Sequence, residues 1–177
     1  MRSLRKVTAF ALEWAQTSVM SPSYELRAEG EVVATLAWEK LFGSLASART
    51  SDGLWTFKRS GFLTPMVTVR EAGSDKDAAV LKVVWGGGGE LIIGGKPTFA
   101  WKRRGFWSGQ WGFEWIDGGH ILHFEPKFAI AKKKAELHLE PSAHSVPELP
   151  LLATLGWYLL ILMAQDEGAA AAIIAAS

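Results

Sequence analysis

A chain of 177 residues, 49% apolar and 21% charged, holds enough apolar material for one packed domain, and that balance argues against disorder. Its net charge of +1 argues against a dedicated nucleic-acid binder, in which a basic excess dominates the surface. No cysteine is present, which excludes disulfides, zinc–thiolate centres and thiol catalysis.

The opening stretch MRSLRKVTAFALEWAQ starts basic and turns apolar, as a secretory leader does. Glu13 interrupts the apolar run, however, and no small-residue cleavage pattern follows. The stretch is expected to be a lead-in strand near 7–14, with cytoplasmic residence the default. From residue 23 the pattern is short apolar alternation broken by turn signals. SYELRAEGEVVATLAWEK sets Gly30 between two strand-like runs, as in a hairpin. In the second run Val32, Ala34, Leu36 and Trp38 share one face, with Thr35 and Glu39 on the other. SLASARTSDGLWTFKRSG repeats the device at Asp52-Gly53, and PMVTVREAGSDKDAAVLKVVW turns at 73–77. VLKVVWGGGGELIIGG turns on its glycines, and PTFAWKRRG, GQWGFEWIDGGHILHFE and KKAELHLEP complete the series.

Nine tryptophans and 18 glycines, concentrated between Trp85 and Gly119, suit a β-rich fold with large interior fillers. The count reaches about twelve strands at spacings of roughly 8–12 residues, the pattern of a sandwich or barrel. No helical period precedes residue 147, so an antiparallel meander is expected rather than alternating strands and helices.

The final stretch, PELPLLATLGWYLLILMAQDEGAAAAIIAAS, poses a choice between a membrane span and a core helix. Its continuous apolar run, Leu151–Ala164, is about 14 residues and spans ~21 Å as a helix, short of the ~30 Å hydrocarbon layer. Asp166 and Glu167 follow at once. The segment is apolar on every side, so it needs an apolar sleeve. A barrel of about twelve strands is wide enough to need such a filler. Leu151, Leu155, Trp157, Leu159, Leu162 and Met163 are expected to be the plug, with Gly156 permitting close approach to the wall. The expected organisation is a single all-β domain over 1–177: an antiparallel closed barrel from about 7–140, a central hydrophobic helix from about 149–165, and a tail from 166–177, with Gly168 able to break or cap the helix. A tail anchor and an oligomer contact are the alternatives for this segment.

The strand–turn series Tyr24–Glu140 followed by LPLLATLGWYLLILMAQ resembles, in plan, the tubby C-terminal-like superfamily, including its LURP-one-related and phospholipid-scramblase branches. The resemblance implies about twelve antiparallel strands threaded by a hydrophobic carboxyl-terminal helix. It also implies a membrane-associated role, since tubby-type members bind phosphoinositide headgroups through surface lysine and arginine. No biochemical activity is established for the LURP-one-related branch. The chain shows neither a long acidic or proline-rich amino-terminal region nor a scramblase-type acidic calcium segment.

In WKRRGFWSGQW, Lys102, Arg103 and Arg104 sit at a strand end beside Trp107. Cations attract an anionic lipid surface at about 1 kcal/mol each, and indoles favour the headgroup level. The plain alternative is a solvated hairpin tip. Lys132, Lys133 and Lys134 could join them, together with Lys58-Arg59, or could guard a strand edge. His123, Glu125, His138 and Glu140 read as an exterior ladder of opposite charges: a hairpin centred near 129–130 sets His123 across from Glu136 and Glu125 across from Lys134. That ladder needs no metal, and no metal or cofactor is expected. GGGGELIIGGKP lacks the helix and the Lys-Ser/Thr of a phosphate loop. No nucleophile elbow is found, and Glu114 with His120 has no spacing that marks a catalytic pair. The expectation is a non-catalytic cytoplasmic module that docks on anionic lipid headgroups, or on a partner protein, without a transmembrane span. The alternatives are a small enzyme with a pocket at the barrel mouth and a tail-anchored protein.

Overall fold

The computed structural model describes residues 1–9, 11–41, 43–61, 64–84, 86–105, 109–128 and 133–176, with 128 and 172–176 described by backbone alone. Twelve strands form: β1 (Ala11–Ser18), β2 (Ser23–Ala28), β3 (Glu31–Trp38), β4 (Ala46–Thr50), β5 (Leu54–Ser60) and β6 (Met66–Glu71) in the first half. β7 (Asp77–Val83), β8 (Gly89–Ile93), β9 (Lys96–Arg104), β10 (Gln110–Trp115), β11 (His120–Phe128) and β12 (Lys133–Leu139) make the second. Each pairs antiparallel with its neighbours in the chain, and β12 returns to β1, with Leu137 opposite Leu12, to close the barrel. The hairpins form where left-handed backbone is available. Glu29 and Gly30 both have positive φ, 52° and 85°, as the tightest antiparallel turn requires.

Alternation then decides what faces inward. Phe99 and Trp101 on β9, Trp111 and Phe113 on β10, and Leu122 and Phe124 on β11 are buried. Outward positions such as Glu13, Arg27, Arg49, Lys58, Lys82 and Glu90 are exposed. This is the inverse of a lipid-spanning barrel, whose outer band is apolar.

The lumen is filled by helix α1 (Leu149–Ala176), buried on all sides from Leu149 to Leu162. Trp157 stacks on Trp14 at 5.8 Å and Tyr158 on Trp38 at 5.4 Å. The indole N–H groups of Trp14, Trp38 and Trp101 are buried without an acceptor, so packing rather than hydrogen bonding holds these rings. Gly156 lies where any Cβ would overlap the ring of Phe124 and come within 3.1 Å of Trp101. By length and composition this helix could cross a membrane, yet 78% of its apolar window is buried within the protein.

Two boundaries differ from the sequence expectation. The first strand starts at Ala11 rather than near Val7, because Leu4–Lys6 forms a 3-10 turn that buries Leu4. The helix does not end near 165: it runs to Ala176, and Gly168 neither breaks nor caps it. One glycine costs about 1 kcal/mol in a helix, and the flanking alanines, the strongest helix formers, outweigh it.

Odd-numbered strands run toward one end of the barrel, here called upper, and even-numbered strands run back. The helix starts at the lower end, which is closed by Leu4–Lys6 and by a second 3-10 turn, Pro141–Ser145. It emerges at the upper end, where residues 166–171 are exposed.

Candidate functional site

The upper rim surrounds the emerging helix. Tyr158 donates from its hydroxyl to the carbonyl of Ser44 at 2.6 Å, and Arg59 donates to the Asp166 carboxylate at 2.5 Å. Beside these contacts a cavity of about 730 Å³ opens between the helix, Leu41, Gly43 and Ser44 on one loop, and Arg59, Ser60 and Gly61 at the end of β5. In the rim loops Val19, Met20, Leu41 and Val84 are 59%, 85%, 48% and 56% exposed.

The two basic segments end on this rim, in neighbouring parts of the ring. They do not form one face. On β9, Lys102 points outward and pairs with Glu114. Arg104, on the same outward side, donates to Nδ1 of His123 at 2.7 Å and reaches Glu140 at 3.2 Å. Arg103 falls in the inward register of Trp101, opposite Trp111 at the rim, where it is exposed. No ion-pair partner meets it among the described residues. On β12, Lys134 is exposed and pairs with Glu13 at 3.2 Å. Lys133 takes the inward register of Ala135 and Leu137 and is half-buried, and burial lowers its pKa from the usual lysine range. Trp107 and Lys132 lie outside the described residues. Lys58 and Arg59 reach the same end on β5, four strands from β9. The segments therefore share an end rather than a wall.

Between these segments the outer wall of β9–β12 carries a charged network. The β11–β12 register differs from the expected ladder: His123 lies across from His138, Glu125 from Glu136 and Lys127 from Lys134. The turn is centred one residue later than expected, so the pairing shifts by two. Faces are kept and partners change. The His123 and His138 rings stack at 4.7 Å. Burial, with Arg104 and His138 adding to it, pushes His123 down to about 4, so at neutral pH it is the uncharged acceptor of the Arg104 hydrogen bond. Lys127 bonds one oxygen of Glu136, and His138 Nε2 lies 3.4 Å from the other oxygen and 3.8 Å from Glu125.

Glu114 and His120, which spacing did not single out, are brought together by a register shift on β10–β11, with His120 Nδ1 3.5 Å from the carboxylate. They line a dent of about 240 Å³ floored by Gly112, with Lys102 and Arg104 at its sides. Gly112 is required there because a Cβ would strike the carbonyl of Leu122. Lys102 already holds the Glu114 carboxylate, and the pair sits on the outer wall, half-exposed at His120. The upper-mouth cavity has no histidine among its described lining residues. Sequence reasoning named Glu125 and Glu136 but missed Lys127 and the facing of the two carboxylates, because the connection AIAK carries no turn residue to fix the register. No family model, curated protein or solved structure matches this chain.

Proposed function

We propose that the protein is a non-catalytic module that docks by its upper rim on an anionic phospholipid surface, as a cytoplasmic protein at the membrane periphery. The observation that carries this reading is the coincidence of exposed apolar loop residues, Met20 and Val84 among them, with the rim cations Arg103 and Lys133. Apolar side chains enter the headgroup layer, and each cation near the surface adds about 1 kcal/mol. Arg103 is the stronger contact, since Lys102, Arg104 and Lys134 are already paired with carboxylates. The likeness in plan to tubby-like barrels supports the same reading. Co-sedimentation with vesicles of phosphatidylcholine, with and without phosphatidylserine, tests it. Binding is expected with the acidic lipid only. Replacing both Arg103 and Lys133 by Ala should weaken it by more than about tenfold, from ~1 kcal/mol per cation. Added salt should weaken it too, because screening shortens the reach of exposed charge. Binding indifferent to lipid charge and to salt would end the proposal.

A further inference from the structure

On the outer wall, Glu13 pairs with Lys134, Glu136 with Lys127, and Glu140 with Arg104. Glu125 is left over. Among the described residues, its ion-pair contact is with His138 alone, at 3.8 Å. It also stands directly across from Glu136, and like charges in that position repel. His138 Nε2 is buried and stands 3.4 Å from Glu136 and 3.8 Å from Glu125, so one nitrogen ligand faces two carboxylates.

The spacing of these atoms has a physical meaning. One carboxylate oxygen each from Glu125 and Glu136 and a ring nitrogen of His138 lie within 4.8 Å of one another. A metal held at ~2.0–2.1 Å by nitrogen and oxygen ligands in a tetrahedron separates its ligands by about 3.4 Å. The His138–Glu136 distance is 3.4 Å and the His138–Glu125 distance 3.8 Å, both near that separation, so closure asks only for adjustment of the two glutamate side chains. Lys127 occupies one oxygen of Glu136, and the other oxygen faces His138.

We propose that Glu125, Glu136 and His138 form a site for one divalent transition-metal ion of the zinc type, with a fourth position open to water. A mixed nitrogen and oxygen set favours zinc, cobalt or nickel over magnesium and calcium, which take oxygen. The ion supplies the positive charge that Glu125 lacks and turns a repulsive pair of strands into a clamped one.

The test is titration of chelator-treated protein with cobalt(II), whose visible absorbance reports coordination, followed by displacement with zinc. One ion per chain is expected, with no competition from magnesium. Glu125→Gln and His138→Gln should each lower affinity by about tenfold or more, the scale seen even for outer partners of metal ligands. His120→Ala, at the far end of β11, should leave it unchanged. Absence of a cobalt spectrum, or full affinity in His138→Gln, overturns the site. If either variant loses its strand signal in circular dichroism, histidine NMR of the wild-type protein decides. Zinc must shift the His138 ring resonances; a spectrum that does not move, or one in which only His120 or His144 moves, overturns the proposal.

Discussion

The two ends of the barrel are built by the same antiparallel plan from different residues. At the lower end the connections at 29–30, 51–53, 72–76, 94–95 and 116–119 consist mainly of Gly, Asp, Ser and Glu, and Ile116 is their one large apolar residue. At the upper end every connection carries at least one: Met20, Leu41, Leu63, Val84, Trp107 and Ile130 lie in successive loops by sequence. Turn formation explains the first set, because glycine, aspartate and serine are the residues that tight turns use. It does not explain the second. Large side chains gain nothing from reversing a strand, so their cause lies outside the hairpins. The lower end is shaped by closure, and the upper end carries the apolar residues on which the docking proposal rests.

The sharpest way to break that contrast is to cut the helix at two places. Removing residues 149–177 should abolish cooperative unfolding, because the lumen then loses the burial, worth about 25 cal/mol per Å² of apolar surface, on which every strand packs. Removing only the emergent turns after Ala164 should change the melting curve little. Equal damage from both cuts would mean that the upper end is part of the core.

Alkaline titration asks how deep the upper opening reaches. Burial pushes Tyr24 from 10.0 up to about 12 and raises Tyr158 as well. An unfolded tyrosine loses its proton near 10, whereas folded Tyr24 keeps it to about 12. This contribution to stability is therefore intact below the unfolded value and is lost as pH rises through that window. Tyrosinate absorbance should appear in one cooperative step together with loss of the circular dichroism signal. An ordinary titration near 10 with the fold intact would place water beside both rings, and the rim would be a channel rather than a sealed surface.

Smaller effects separate the ends residue by residue. Leu4→Ala at the lower closure should cost about 2–5 kcal/mol in denaturant unfolding, as truncation of a fully buried leucine does. Met20→Ser at the upper rim should stay within about 0.5 kcal/mol, the range of surface substitutions away from such features.

The parts of this molecule legible in the sequence are those set by local chemistry. A continuous greasy run closed by Gln165-Asp166-Glu167 identified the plug, and glycine-marked hairpins identified the wall. The network on β11–β12 was not legible, because Ala129, Ile130 and Ala131 give the connection no preferred turn. A one-residue change there exchanges every partner while leaving each face intact. Gln16, whose side-chain amide oxygen accepts from the Lys133 backbone N–H across the closing seam at 3.3 Å, is likewise a contact between distant segments. The rim cations were found in sequence, but which of them are engaged depends on Glu13, Glu114 and Glu140, and only the folded ring brings those acids near.

The ring is sealed by its first and last strands, and the segment that fills it follows them all in the chain. During synthesis the wall is complete in sequence before its contents have left the ribosome, so an early closure would trap an empty shell with Trp14, Trp38 and Trp101 facing water. Assembly must therefore wait for the helix or form around it.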